Sequence, residues 1–280
     1  MEPNEKPVAV VIGATSKWQS DGRNTRLAHG QDVDDSDLPL SVRWGVGGAI
    51  AQKFGSQGFR VVLTTRRSAN AAALQLAMQD QGFECMTVEL DLSDSLSITS
   101  AFAAVRDTWG EPEVVVINAG YLEGRDLPKG QELLEYIPEE MLETALDITS
   151  RGPFMVARAV LPAMRKRGSG SFFITNNAAS LRGRKRGYGQ SLYYPRVMMR
   201  TLAQVLTEEY SGHGVHVANV IVDGLIDSPG TRALPVAREH PEIIMNPAAI
   251  ADAFYYLHTQ DPSCWTHELQ LTPNSTKVSF

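Results

Sequence analysis

Short apolar runs alternate with segments of helical periodicity along the chain, and this alternation constrains the fold more than any other feature of the sequence. Strands that are buried on both faces of a parallel sheet are nearly continuous in apolar residues, and the covering helices come between them. The pattern predicts a single α/β domain with a doubly wound parallel sheet of about seven strands and helices on both faces. The predicted strands are 8–12, 61–65, 86–90, 114–117, 172–175, 215–222 and one near Leu269, and the predicted helices are 48–57, 69–81, 96–109, 139–167, 196–210 and 247–259.

Composition excludes several classes of function. The 280-residue chain carries a formal net charge of -6, which argues against general binding to nucleic acid or to an anionic membrane. No apolar run approaches the roughly 20 residues that span a bilayer, and the polar start lacks the apolar core of a secretory signal, so a cytoplasmic protein is expected. With Cys85, Cys264 and six scattered histidines, no metal site is expected, and both cysteines are expected to be reduced packing residues.

One segment breaks the alternation. Residues 17–44 mix both signs of charge with Gly and Pro and show a period of neither 2 nor 3.6. Because a structureless stretch of this length is uncommon inside a compact domain, we interpret it as an inserted loop that adds little to the core. The segment is either a mobile functional flap or a foreign insertion.

A glycine-rich turn follows the first predicted strand in two pieces. Gly13-Ala14-Thr15 comes directly after the strand, and Gly45-Val46-Gly47-Gly48 opens the helix after the inserted loop. In a G-x-x-x-G-x-G turn the glycine after Gly13 would fall at position 17, but it stands at 45, so removing the loop restores the turn. Such glycines let the backbone approach a pyrophosphate closely, at the start of a helix. The turn predicts a Rossmann-type dinucleotide site with Gly13, Thr15, Gly45 and Gly47 at the cofactor.

The end of the second predicted strand indicates which dinucleotide binds. Arg66 and Arg67 stand where an NAD site would place an acidic residue for the ribose 2′-hydroxyl. Arginine pairs with a 2′-phosphate, so NADP(H) is favoured over NAD(H), and a solvated charged turn is the alternative. Asp91, after the third strand, suits an adenine edge, and Asn118, Ala119 and Gly120 follow the fourth strand.

Taken in order, these motifs resemble the short-chain dehydrogenase/reductase family over essentially the full length outside the loop. The segments "AVLPAMRKRGSG", "SFFIT" and "VHVANVIVDGLI" add to the resemblance. It implies an NADP(H)-dependent oxidoreductase that acts on a small molecule. The expected partners are that substrate and further copies of the chain, as a homodimer or homotetramer, with neither nucleic acid nor membrane.

The resemblance also implies that the family's Asn-Ser-Tyr-Lys catalytic set is replaced. Thr149, Asn177, Leu192 and Arg196 stand at those four positions, in that order. Leucine cannot donate the proton that a ketone needs when it is reduced, and arginine stays protonated, which makes it a poor relay. Arg196 can still hydrogen-bond a nicotinamide ribose, and a helix-surface charge is the alternative.

A displaced tyrosine is a candidate replacement for the missing acid. Tyr188, Tyr193 and Tyr194 lie near the lost position, and Pro195 predicts that the helix begins near 194, which would reposition Tyr193 or Tyr194. Simple packing of these tyrosines is the alternative.

Further polar residues are expected at the edge of the sheet where the parallel strands have their carboxyl ends, the edge that also carries the cofactor motifs. They are Asn176, Asn177, Arg151 and Asp223. Asp223 stands where the family has the proline of a Pro-Gly turn, and its carboxylate would suit a cationic substrate group or an arginine, or else cap the turn. Residues 225–246 are expected to cover the substrate.

These inferences favour an NADPH-dependent reductase of a small organic substrate, such as a secondary metabolite, that presents an iminium or another activated acceptor. Hydride addition to an iminium gives a neutral amine, so no alkoxide develops that would need a proton. The candidate catalytic residues are Asn177, Tyr193, Arg196 and Asp223. The alternatives are a redox-neutral cyclase or isomerase, including one that catalyses cycloaddition, and a non-catalytic NADP(H)-binding protein.

Overall fold

The structure, a computed structural model, describes residues 6–15, 39–120, 136, 138–181, 194–232 and 234–277. Its strands are β1 (Val8–Ile12), β2 (Arg60–Thr65), β3 (Cys85–Glu89), β4 (Val114–Ile117), β5 (Gly170–Asn177), β6 (Val215–Val222), β7 (Leu225–Ile226), β8 (Ile244–Met245) and β9 (Glu268–Leu271). Seven of them form one parallel sheet in the order β3-β2-β1-β4-β5-β6-β9, while β7 and β8 pair separately. The predicted single-domain, doubly wound α/β fold is confirmed.

The helices follow the predicted pattern closely. The one predicted over 139–167 is interrupted by a π-helical turn at Asp147–Arg151, and the helix before β6 begins at Tyr194, as Pro195 predicts. The helices are α1 (Leu40–Arg43), α2 (Gly45–Ser56), α3 (Ala72–Asp80), α4 (Ser95–Trp109), α5 (Glu139–Leu146), α6 (Gly152–Arg167), α7 (Tyr194–Tyr210), α8 (Pro229–Arg232), α9 (Pro235–Glu239) and α10 (Pro247–His258). None of them, in the ranges that the structure describes, is both long and apolar enough to cross a membrane.

A hydrophobic core lies on each face of the sheet. Phe172 and Phe173 are neighbours on β5 and point to opposite faces, and both are fully buried. Phe173 packs in the core beneath α2 and α10, whereas Phe172 packs in the core beneath α4, α6 and α7. This double burial explains why the strands are nearly continuous in apolar residues.

The prediction for residues 17–44 is wrong at the end of that segment. Leu40–Arg43 forms α1, and Val42 and Trp44 are buried in the core beside α2. A Cβ on Gly48 would lie 2.3 Å from the Cβ of Trp44, so Gly48 makes room for the tryptophan. Residues 17–38 lie outside the described residues, and their interpretation as an insertion stays a prediction.

The two cysteines differ in their surroundings. Cys85 is buried in the core, and burial raises the pKa of its thiol to about 11, so it is an unreactive packing residue as predicted. Cys264 is exposed, and the prediction that it packs is wrong, because it lies in the loop between α10 and β9.

Candidate active site at the carboxyl edge of the sheet

The order of the strands places a crevice between β1 and β4. These two strands are paired in parallel, and the chain runs from β1 toward one side of the sheet and from β4 toward the other. In such sheets ligands bind outside the carboxyl ends of the strands at this point. Gly13 follows β1 and Asn118 follows β4, so the two predicted cofactor motifs meet there.

The glycine turn is closed as tightly as its sequence predicts. The Asn118 side-chain amide donates to the carbonyl of Gly13 at 2.9 Å. A Cβ on Gly47 would lie 2.2 Å from that same carbonyl oxygen, and one on Gly13, which has φ of 80°, would lie 2.7 Å from the Cα of Ala119. The chain segments at Gly13, at Gly47 and at Asn118–Ala119 therefore pack so closely that no side chain fits between them. They do so although the inserted segment separates the glycines in sequence.

The start of α2 suits a phosphate. Gly45, with φ of 61°, opens this 12-residue helix, and the preceding Trp44 makes no side-chain capping hydrogen bond. The first N–H groups of a helix lack acceptors within it and carry the positive end of its dipole. The backbone around Gly45 and Gly47 therefore fits a pyrophosphate. Thr15 is half-buried two residues after Gly13.

Two arginines lie at the end of β2 beside a carboxylate. Arg66 and Arg67 are exposed, and neither guanidinium makes a hydrogen bond or an ion pair within the part of the chain that the structure describes. Glu89, at the end of the neighbouring β3, accepts a hydrogen bond from the backbone N–H of Ser68 at 2.7 Å, and this bond lowers the pKa of its carboxyl. Since the two guanidinium groups have no acceptor among the described residues, they present two positive charges to an anionic ligand.

Asp91 follows β3 and shapes the adjoining turn. Its Oδ1 accepts hydrogen bonds from the backbone N–H of Ser93 at 2.9 Å and from the Ser93 hydroxyl at 2.7 Å. The side chain is half-buried near the start of α4. This is the edge where the sequence predicts an adenine.

Arg196 is buried against the loop that follows β4. Its side chain is only 7% exposed, so the alternative of a helix-surface charge is wrong. A Cβ on Gly120 would lie 2.3 Å from Nη2 and 2.6 Å from Nη1 of the guanidinium. The arginine in the first turn of α7 thus occupies the space above Gly120, beside the crevice.

Two of the positions predicted to replace the family's catalytic residues use their polar atoms locally. Thr149 is fully buried in the π-helical turn, and its hydroxyl donates to the carbonyl of Ala145. Asn177 is half-buried, and its Oδ1 accepts from the backbone N–H of Ala179 at 3.0 Å, which caps the short turn after β5. Neither side chain resembles an acid prepared to donate a proton.

Arg151 and Asp223 have partners that the sequence does not reveal. Arg151 is exposed and donates to the hydroxyl of Ser95 at 2.9 Å, at the start of α4. Asp223 is 5% exposed directly after β6, and its Oδ2 accepts from the side-chain amide of Gln270 at 3.1 Å. Gln270 lies on β9, so this contact follows from the pairing of β6 with β9 rather than from the local turn.

A buried polar chain behind Arg196 was also not predicted. Asn176 donates through Nδ2 to the carbonyl of Arg196 at 3.1 Å and to Oδ1 of Asn219 at 3.3 Å. Asn219 donates to Glu268 at 3.2 Å, and Glu268 binds Arg200 through two hydrogen bonds of 2.6 and 2.7 Å. The one visible signal is Asn219, a polar residue inside an apolar run.

The segment expected to cover the substrate has regular structure. It begins two residues after Asp223, and β7 and β8 pair in parallel at its two ends, with α8 and α9 between them. Arg232 binds Asp227 through hydrogen bonds of 2.6 and 2.7 Å. Its position beside Asp223 fits the expected role, which stays a prediction.

The side chains of the candidate tyrosines lie outside the part of the chain that the structure describes. Tyr188, Leu192 and Tyr193 lie outside the described residues. Tyr194 begins α7, but its side chain also lies outside them. A substitute catalytic tyrosine therefore stays a prediction.

Comparisons with known proteins agree with this geometry. A family model described as enoyl-(acyl carrier protein) reductase matches residues 41–262. An uncharacterized oxidoreductase of Staphylococcus epidermidis is 27% identical over 230 residues, which are 82% of this chain and 93% of that protein. The 3-oxoacyl-(acyl-carrier-protein) reductase MabA of Mycobacterium tuberculosis is 27% identical over 240 residues, which are 82% of this chain and 88% of that protein.

A solved structure shows the same fold. It is a metagenomic short-chain oxidoreductase in complex with NADP, with a TM-score of 0.71 and 25% identity, covering 96% of this chain and 98% of that chain. The family match covers residues 41–262, which is most of the chain, and the solved structure agrees with the predicted doubly wound parallel sheet. The protein therefore belongs to the short-chain dehydrogenase/reductase family and is an oxidoreductase of that family.

Proposed function

We propose that the protein is an NADP(H)-dependent reductase of a small organic substrate. The observation that carries the choice of cofactor is the pair of exposed arginines at the end of β2, Arg66 and Arg67, which bind no acceptor among the described residues. A 2′-phosphate would supply the missing anion through charge-assisted hydrogen bonds. The NADP complex of the metagenomic relative supports this assignment.

The rest of the crevice fits the remainder of the dinucleotide. The backbone at Gly13, Gly45 and Gly47 would hold the pyrophosphate, since these positions have no Cβ and α2 begins there. Asp91 would face the adenine. Asn118 keeps the turn closed through its bond to Gly13, and the guanidinium above Gly120 would bind the nicotinamide ribose.

When bound, NADPH supplies a hydride, and the residues around it determine whether a proton can follow. A ketone needs a positioned acid, but Leu192 has no proton to give and Arg196 stays protonated. The Thr149 hydroxyl is turned toward Ala145, and Asn177 caps a turn. The site therefore lacks the acid that carbonyl reduction requires at these positions.

An iminium or similarly activated acceptor needs no such acid. Its reduction neutralises a positive charge instead of creating an alkoxide, so a nearby carboxylate would bind the substrate in its reactive form. Asp223 is suited to this role, because it is buried at the same edge and lies two residues before the segment expected to cover the substrate. The replacement of the family's acid and the buried carboxylate of Asp223 together support the proposal of an iminium or similarly activated acceptor.

Calorimetric titration tests the cofactor assignment. We expect wild-type protein to bind NADP(H) at least tenfold more tightly than NAD(H). Replacing both Arg66 and Arg67 by serine should weaken NADP(H) binding by roughly 10- to 100-fold, the effect of losing charge-assisted hydrogen bonds, and leave NAD(H) binding unchanged. Arg158→Ser, an exposed arginine on α6, is the matched control and should change neither. Equal affinity for the two dinucleotides, or an unchanged preference in the double variant, contradicts the assignment.

A further inference from the structure

Asn176 joins the end of β5 to the first turn of α7. Its side chain is 3% exposed, and its amide uses both hydrogens, on the carbonyl of Arg196 and on Oδ1 of Asn219. Its own Oδ1 accepts from the backbone N–H of Asn177 at 3.0 Å. Because the accepting carbonyl belongs to Arg196 itself, the amide anchors the first turn of the helix that carries this guanidinium.

The direction of each amide in this chain is determined by Glu268. A carboxylate only accepts hydrogen bonds, so the NH₂ of Asn219 must face Glu268 and its oxygen must face Asn176. That oxygen in turn requires the NH₂ of Asn176, which is then directed at Arg196 as well. Asn219 is 1% exposed, so water cannot replace these partners at low cost.

The chain of contacts starts and ends on α7. Arg200, four residues after Arg196, holds Glu268 by a bidentate ion pair, and this pair lowers the pKa of the Glu268 carboxyl. Residues four apart lie one above the other on a helix. Two successive turns of α7 are therefore tied to β5, β6 and β9, the first through the backbone carbonyl of Arg196 and the second through the side chain of Arg200.

We propose that Asn176 and Glu268 are positioning residues that hold the guanidinium of Arg196 above Gly120, with Asn219 and Arg200 as the links between them. The inference rests on the proposed function, in which Arg196 binds the cofactor ribose. It adds that the position of this arginine depends on an ion pair at the last strand, which touches neither cofactor nor substrate.

Glu268→Gln is the most direct test, because it keeps the shape of the side chain but removes the charge that orders the amides. We expect the dissociation constant for NADP(H), measured by calorimetry, to rise roughly three- to tenfold. We also expect faster amide hydrogen exchange in the first two turns of α7 without cofactor. Asn176→Leu, which keeps the volume and removes the hydrogen bonds, should act in the same way.

Glu113→Gln is the matched control. Glu113 forms a half-buried ion pair with Arg167 at 3.1 Å, comparable in exposure to the pair of Glu268 with Arg200 but just before β4, at the opposite edge of the sheet. Its loss should change neither cofactor binding nor exchange in α7. A general loss of stability would instead affect both variants alike.

A double-mutant cycle with Arg196→Met separates positioning from general support. If the chain acts through Arg196, Glu268→Gln should not weaken cofactor binding further once that side chain is gone. The same fold-change in both backgrounds overturns the proposal, as does unaltered exchange in α7 of Glu268→Gln. If instead Arg196→Met leaves NADP(H) binding unchanged, the proposed role of Arg196 fails, while the exchange measurement still decides whether Glu268 orders α7.

Discussion

The guanidinium of Arg196 covers Gly120 so closely that a Cβ there would lie 2.3 Å from Nη2, a separation that real atoms do not adopt. Arg196 is buried and its backbone carbonyl is held by Asn176, so the arginine has little freedom to retreat. The glycine and the arginine are thus a matched pair, one on the loop after β4 and the other on α7.

Gly120→Ala should therefore displace the guanidinium and weaken NADP(H) binding about tenfold, with a loss of stability of about 1–3 kcal/mol from overpacking. Calorimetry and urea denaturation measure the two effects. Gly212→Ala is the control, since a Cβ at Gly212 meets nothing within 4 Å, and it should alter neither. Wild-type affinity in Gly120→Ala would show that the position of Arg196 does not matter for the cofactor.

Trp44→Ala should lower the free energy of unfolding by about 3–5 kcal/mol, because it empties a core site beside Gly48. Tyr256→Ala, at a residue that is 60% exposed, is the control and should cost less than about 1 kcal/mol. Urea denaturation at neutral pH measures both. If the two variants were equally stable, residues 39–44 would belong with the inserted segment and not with the domain.

The burial of Trp44 is an example of a feature that the sequence did not predict, whereas other parts of the fold were predicted well. Strands such as Val8–Ile12 and Val215–Val222 were predicted with their observed bounds, because burial on both faces leaves a continuous apolar run. The start of α7 followed from Pro195. Leu40–Arg43 could not be predicted, since a four-residue helix is too short to show a period.

The candidate site divides in the same way. Its glycine turn and arginines are sequence motifs and were predicted, whereas the partners of Asn176, Asn219 and Asp223 come from other elements that are far away in sequence. Gln270 and Glu268 reach Asp223 and Asn219 because β9 pairs with β6. Hydrogen bonds across a sheet depend on register, and register between distant strands leaves no mark in a single sequence.

His258 should make stability depend on pH. Burial, with a smaller effect of His216, lowers the pKa of His258 to about 4, so it is neutral in the folded protein. In the unfolded chain its pKa is about 6.5. Between these values the unfolded chain binds more protons, so the stabilisation is complete above about pH 6.5 and is lost as pH falls toward 4. From pH 8 to pH 5 this residue should account for a loss of about 2 kcal/mol.

His258→Gln, which keeps a hydrogen-bonding group near Ser171, should remove that part of the pH dependence. Urea denaturation at several pH values between 8 and 5 measures it. The exposed His213→Gln is the control and should retain the wild-type slope. An unchanged slope in His258→Gln would mean that other groups cause the loss of stability in acid.

The last prediction concerns the chemistry, and it follows from the charges that remain in the site. Ordinary ketones should be poor substrates, because without the family's tyrosine and lysine their reduction forgoes roughly 10²–10⁴-fold of acid catalysis. The true substrate should be turned over without Leu192→Tyr and Arg196→Lys being introduced.

Asp223→Asn should weaken binding or turnover of a cationic acceptor about tenfold or more, while Asp107→Asn, on the exposed side of α4, should not. Steady-state NADPH oxidation measures all of these. If Tyr193→Phe alone abolished turnover and Asp223→Asn had no effect, the site would be a rebuilt carbonyl reductase, with a displaced tyrosine as its acid.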